Sequence, residues 1–173
     1  MNTPVKQSPK LIAFLWRIHE KVSSYTAHLI GPVVFNFGTK ETPWNMKTNE
    51  FLNFPEETVG RKLGEFLKLN KLEPIAGAES HDVYHVLFDF TSSFKDEVAL
   101  QFFLRGNGKN SIASFSTAIG AWCLLPFHWS YLRTSFARGK SCIDISQLNL
   151  KSILSEDLQQ IRSQLFTTKI KTL

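Results

Sequence analysis

Between Ser8 and Ile30 the apolar residues Leu11, Ile12, Phe14, Leu15, Ile18, Val22 and Tyr25 recur at the spacing of one helix face. Ser8-Pro9 suits the start of that helix and Gly31-Pro32 its end. A stretch rich in Gly, Thr, Asn and Pro, residues 37–48, reads as a loop. The next helix is predicted from Phe54 to Asn70, with Pro55, Glu56 and Glu57 in its first turn and Val59, Leu63, Phe66 and Leu67 on one face. Gly60 and Gly64 open the same side of it. A helix-interior glycine costs about 1 kcal/mol, so close helix–helix contact is the expected compensation.

After a turn at 74–77, a helix begins near Ser80 and carries SHDVYHVLF. Ser93, followed by Asp96, fits a variant capping box for a helix from Phe94 to Arg105, which GNGKN ends. Residues 111–125 are helical in pattern up to Pro126. A further helix is expected from Phe127 to Arg138 with Gly139 as its C-cap, then an irregular stretch over 140–150. A last helix, capped by Ser155, carries Leu158, Ile161 and Leu165. Period-two alternation is never sustained, and there is no internal repeat. The prediction is an all-α, single-domain bundle of six to eight helices spanning residues 1–173.

Composition narrows this picture. With 173 residues and 43% apolar content, the chain can bury a core without staples. Its 15 phenylalanines against three tyrosines suit a deep core or a lipid-sized cavity. The net charge of +5 is scattered, with no arginine-rich run, helix-turn-helix or zinc-finger spacing, so no nucleic-acid partner is expected. Cys123 and Cys142 are too far apart for a local metal clip, and no signal peptide is visible, which suggests a reducing, cytoplasmic setting. The longest apolar run, AIGAWCLLPF, is half the length of a membrane span.

The candidate chemistry lies in His81, Asp82, His85 and Glu97, spaced HDxxH-x11-E. Residues four apart on a helix share a face, so His81 and His85 can direct two imidazole nitrogens at one point. Asp82 can reach the same point or accept from an imidazole N–H. Glu97, in the first turns of the following helix, can supply a carboxylate across a short interhelix turn. The same residues also fit a plainer role: acids near helix starts are favoured by the helix dipole, and a histidine on an apolar face can be a satisfied core residue. A nitrogen and oxygen donor set suits zinc first, with iron(II), manganese or magnesium as alternatives.

HDxxH-x11-E followed by EVALQFF resembles the coenzyme Q biosynthesis protein four family, which acts in ubiquinone synthesis. PEETVGRKLGEFLKLNKLEP, ARGKSCIDI and LQQIRSQLF resemble flanking segments of that family, so the resemblance is strongest over residues 50–166. It implies an all-α fold and a divalent metal, with His81, Asp82, His85 and Glu97 matching the family's metal and catalytic positions one by one. It also implies an apolar channel for an isoprenoid tail and a peripheral place on a membrane surface, the inner face in a bacterium. Other quinone-biosynthesis proteins are implied partners, and often a homodimer.

Two roles follow from the resemblance: oxidative decarboxylation of a prenylated ring precursor, or a non-catalytic isoprenoid-binding scaffold for biosynthetic enzymes. Asp89 and Asp96 stand where the family commonly has glycine, and Asn149 and Leu150 where it often has Trp-Glu. These departures suit a divergent bacterial member. Leu87, Phe90, Phe102, Phe103, Trp122 and Trp129 are candidates for an apolar wall, with core packing as the alternative. Arg133, Arg138 and Lys140 are candidates for contact with head groups or a prenyl phosphate. A metal-dependent phosphohydrolase of the HD type also uses adjacent His and Asp. It would have to recruit His19 or His28 together with Asp144, and it leaves Glu97 unexplained.

Overall fold

The computed structural model describes residues 41–109 and 128–166. Among these residues there are six helices and no strand, only an isolated bridge between Thr58 and Asp157. The helices are α1 (Thr48–Phe51), α2 (Val59–Asn70), α3 (Glu79–Phe88), α4 (Phe94–Gly106), α5 (Trp129–Ser141) and α6 (Leu158–Leu165). The all-α expectation holds. The helices expected over 8–30 and 111–125 lie outside the described residues, as do Trp122, Cys123, His19 and His28.

Helix α2 begins five residues later than its sequence suggests, at Val59 rather than Phe54. Glu57 has φ of 64°, which no helix turn tolerates, and Thr58 is extended, its side chain accepting from Arg61 N. The orphan N–H groups of Val59 and Gly60 are met by Glu156 O and Leu154 O. Buried Val59, Leu63 and Leu67 form one stripe, with Gly60 and Gly64 beside it. A Cβ on Gly64 would lie 2.8 Å from Leu52 N. The helix therefore rests on the backbone of the preceding segment, the compensation expected for these glycines.

Helix α3 is buried on almost every side, as an apolar helix at the centre of a bundle should be. It touches α2, α4 and α6. Its first turn is tied down by Glu79, 2% exposed, whose carboxylate accepts from Trp44 N at 2.9 Å and Gly77 N at 2.7 Å. Its C-cap is Asp89, left-handed at φ 58°, so the position where the resembled family has glycine has the backbone conformation glycine favours.

Helix α4 packs most extensively on α5. Gly139 is not the predicted C-cap but an interior residue of α5, which runs on to Ser141. A Cβ on Gly139 would meet Phe103 O at 2.0 Å, and one on Gly106 would meet Phe136 O at 2.1 Å. The two helices therefore cross backbone to backbone. Asn107 locks this junction to the next segment: its amide donates to Ile143 O at 2.7 Å and its carbonyl accepts from Ile145 N at 3.1 Å. Asp157, not Ser155, caps α6 through Gln160 N, because the turn at 151–156 is used to meet the start of α2.

Candidate metal centre

His81 and His85 stand on adjacent turns of α3, and Glu97 is in the first turn of α4. The corner between the helices brings the three together. His81 Nε2 lies 3.1 Å from His85 Nε2 and 3.1 Å from Glu97 Oε2, and His85 Nε2 lies 3.2 Å from Glu97 Oε1. Around one ion at about 2.0–2.2 Å, tetrahedral donors are spaced roughly 3.3–3.6 Å apart. The carboxylate thus spans both imidazoles, one oxygen to each, and one ligand atom from each of the three residues lies within 4.8 Å of the others, the only such group among the described residues.

The tautomer fits as well. His85 Nδ1 is 3.2 Å from Phe90 O, an acceptor only, so Nδ1 carries the proton and neutral His85 turns its Nε2 lone pair to the cluster. An imidazole held this way by a carbonyl is the usual setting of a metal-ligating histidine. Phe66 of α2 stacks on the His85 ring at 5.2 Å, and His85 is 2% exposed. The other two members face outward, with side-chain exposures of 14% for His81 and 36% for Glu97. The centre thus has one dry wall and one open side.

Burial acts against the Glu97 charge, but hydrogen bonds to His81 and His85 outweigh it and hold the carboxyl down to about 2. Burial likewise acts against a proton on His85, yet the hydrogen bond to Glu97 and its charge raise the imidazole pKa. Both shifts favour positive charge at the cluster, whose three residues lie close enough together to hold a metal ion. Two imidazoles with a single carboxylate suit zinc, iron(II) or manganese better than magnesium, which prefers oxygen ligands.

Asp82 stands outside the triangle. It is half-buried beside it, and burial pushes its carboxyl up to about 6, against the pull of His81 and His85. No described residue donates a hydrogen bond to it. Asp96 differs from its expected role. Ser93 does accept from Asp96 N, as a cap should, but the Asp96 carboxylate turns instead to Thr91 N at 2.9 Å, to the Thr91 hydroxyl at 2.6 Å, and to Tyr131 Oη at 2.8 Å. It braces the α3–α4 corner from the α5 side.

Among the aromatic candidates, Leu87, Phe90 and Phe103 are core residues, while Phe102 meets Trp129 edge to face at 5.8 Å. Arg138 does not face solvent as a head-group residue would. It lies among the rings of Phe90, Phe103 and Phe166. Arg133 and Lys140 are exposed. Asp144 accepts from Ser146 N on the surface and takes no part in the cluster, so it does not supply the distant acid of an HD-type phosphohydrolase. Sequence reasoning put Phe66 on an apolar helix face and Phe90 among the apolar candidates, but missed the stacking of Phe66 on His85, the Phe90 carbonyl as its acceptor, and Glu79.

No family model and no curated protein matches this chain. Its fold is found among solved structures. A crystal structure of a candidate ubiquinone biosynthesis protein from Nostoc punctiforme PCC 73102 aligns with a TM-score of 0.55 at 16% identity, over 86% of this chain and 81% of that one. At that identity the likeness establishes the shared fold.

Proposed function

We propose that this chain is a divalent-metal protein of ubiquinone or related lipid-quinone biosynthesis that acts on a prenylated aromatic-ring precursor. The observation that carries the proposal is the His81–His85–Glu97 triangle with His85 oriented by Phe90 O. The name of the structural neighbour supports the pathway. The reaction suggested is oxidative removal of the ring carboxylate with dioxygen as the two-electron oxidant: the ring–carboxylate bond would break with release of carbon dioxide, a ring C–O bond would form to a water oxygen, and dioxygen would be reduced to hydrogen peroxide. A bound ion would supply Lewis-acid polarisation of that carboxylate on the open side of the site.

The chain's own residues do the rest. His81, His85 and Glu97 would hold the ion. Phe66 and the core behind His85 keep water off one side. Asp82, whose carboxyl burial pushes up to about 6, would orient a ligand or exchange a proton beside the cluster. Exposed Leu69, Leu72 and Ile75, interspersed with Lys68 and Lys71, support a peripheral position on an anionic membrane. No described helix is long and apolar enough to cross one.

The first test is metal analysis of protein purified without chelator, beside His81→Ala and His85→Ala. Stoichiometric metal in the native chain and its loss in both variants is expected. A metal-free native chain would sink the proposal. Turnover is then assayed on a prenylated hydroxybenzoate with oxygen present; metal uptake without turnover would assign the chain a lipid-holding role instead of a catalytic one.

A further inference from the structure

Every helix ends with four carbonyls that its own amides cannot reach. In α3 these belong to His85, Val86, Leu87 and Phe88. His85 O is met locally, by the N–H groups of Asp89 and Phe90. The other three are met by two arginines from distant helices. Arg162 of α6 donates Nη2 to Val86 O at 2.6 Å and Nε to Leu87 O at 3.1 Å. Arg138 of α5 donates Nη2 to Phe88 O at 2.7 Å.

The same two side chains also grip the residues that follow. The Arg138 guanidinium sits 5.5 Å over the Phe90 ring, with Phe103 and Phe166 at 5.6 and 5.5 Å. Arg162 Nη2 is 3.7 Å from Asp89 Oδ1. Residues 86 to 90 are thus held by two cations at the negative end of the helix dipole, where positive charge is favoured. This is also the segment whose last carbonyl, Phe90 O, fixes the His85 tautomer.

We infer that Arg138 and Arg162 are positioning residues for the metal centre: together they fix the α3 terminus so that Phe90 O stays on His85 Nδ1 and the His85 Nε2 lone pair stays on the cluster. The inference deepens the metal reading above and rests on it. Neither arginine touches the cluster itself. Their action runs through Phe88 O, Asp89 and Phe90 to one imidazole. An arginine suits 162 because its rigid planar fork reaches two successive carbonyls at once, whereas a lysine offers one ammonium on a flexible stem.

The test uses the full chain loaded with cobalt(II), whose visible absorption reports ligand geometry. Arg138→Met and Arg162→Met, Arg162→Lys, and the core truncation Leu132→Ala are compared with the native chain for far-ultraviolet circular dichroism, Tm, cobalt affinity and cobalt spectrum. Loss of an outer partner of a metal ligand commonly weakens metal binding 10- to 100-fold. We expect about that loss in the two methionine variants, a smaller loss of about 5- to 10-fold in Arg162→Lys, and an altered cobalt spectrum in all three. Leu132→Ala should lower Tm yet keep the native spectrum.

If the arginine variants fold, lose only Tm, and bind cobalt within about twofold of native with the native spectrum, the inference is overturned and the arginines are structural alone. If the methionine variants do not fold, Arg162→Lys decides by the same criterion. A native chain that takes up no cobalt removes the metal reading itself, a result distinct from any difference among variants.

Discussion

Phe90 returns both of its backbone polar atoms to His85: its N–H donates to His85 O at 3.0 Å, and its carbonyl accepts from His85 Nδ1 at 3.2 Å. The core thereby sets the direction of one imidazole through a neutral backbone carbonyl, while its other nitrogen faces Glu97 Oε1. His81 meets the second Glu97 oxygen on the open side. A histidine of the cluster and the acid beside it should differ in how they respond to change. His85→Ala is expected to abolish metal uptake. Asp82→Asn, outside the triangle, should weaken it by about 10- to 100-fold while leaving the stoichiometry intact. Titration with zinc against a chromogenic chelator distinguishes the two; equal losses would make Asp82 a ligand in its own right.

The cluster links stability to pH in opposite senses with and without an ion. In the metal-free chain the Glu97 pKa is depressed to about 2, so its contribution is complete above the ordinary value of 4.5 and is lost as pH falls toward 2. The His85 pKa is raised above 6.5, so its contribution is complete below 6.5 and is lost as pH rises through the raised value. The pair therefore contributes most between 4.5 and 6.5. An ion needs both imidazoles unprotonated, so its stabilisation grows as pH rises. Thermal melts at about pH 5.5 and about pH 8 should show a larger zinc-induced rise in Tm at the higher pH. Equal increments at both would argue against histidine ligation.

Asp89 occupies a left-handed cap with its side chain 84% exposed. Glycine removes the Cβ penalty there, at the cost of a more flexible unfolded chain and of the weak contact to Arg162. Asp89→Gly should stabilise the protein by about 0.5 kcal/mol in urea unfolding. A loss above about 1 kcal/mol would show that the Arg162 contact outweighs the backbone strain.

Gly139 tolerates no side chain. Alanine would place a methyl 2.0 Å from Phe103 O, a backbone atom that moves only with its helix. Gly139→Ala should cost about 3 kcal/mol or more, read as a fall in the urea midpoint with an unchanged slope. A neutral substitution would mean that α4 and α5 can separate without penalty.

Leu69 and Ile75 are 82% and 64% exposed beside two lysines. Replacing both with serine should leave Tm within about 2 °C and reduce co-sedimentation with phosphatidylserine-containing vesicles at least about tenfold, since burying each apolar side chain is worth about 1.5–3 kcal/mol. Unchanged sedimentation would exclude this surface from membrane contact.

Much of this could be read from residue spacing, and the failures have a common cause. The three-to-four periodicity matches α3 and α4 closely because their apolar faces are wide. The i, i+4 histidines and the acid at the next helix start were visible because each signal lies on one helix or across one short turn. The boundaries that went wrong, at Thr58, Gly139 and Asp157, were decided by long-range partners. Leu154 and Glu156 receive the first amides of α2, and the Phe103 carbonyl needs the space that Gly139 leaves. Arg138, read as a surface cation, is enclosed by rings of residues 90, 103 and 166. No local pattern brings those residues together.

The triangle draws its members from both sides of the corner at residues 89–93, where Thr91, Ser92 and Ser93 are exposed. Whatever engages all three side chains at once fastens α3 to α4 across that exposed corner. Opening the corner and emptying the site would then be one event, so the two helices could part there only by giving up the shared occupant.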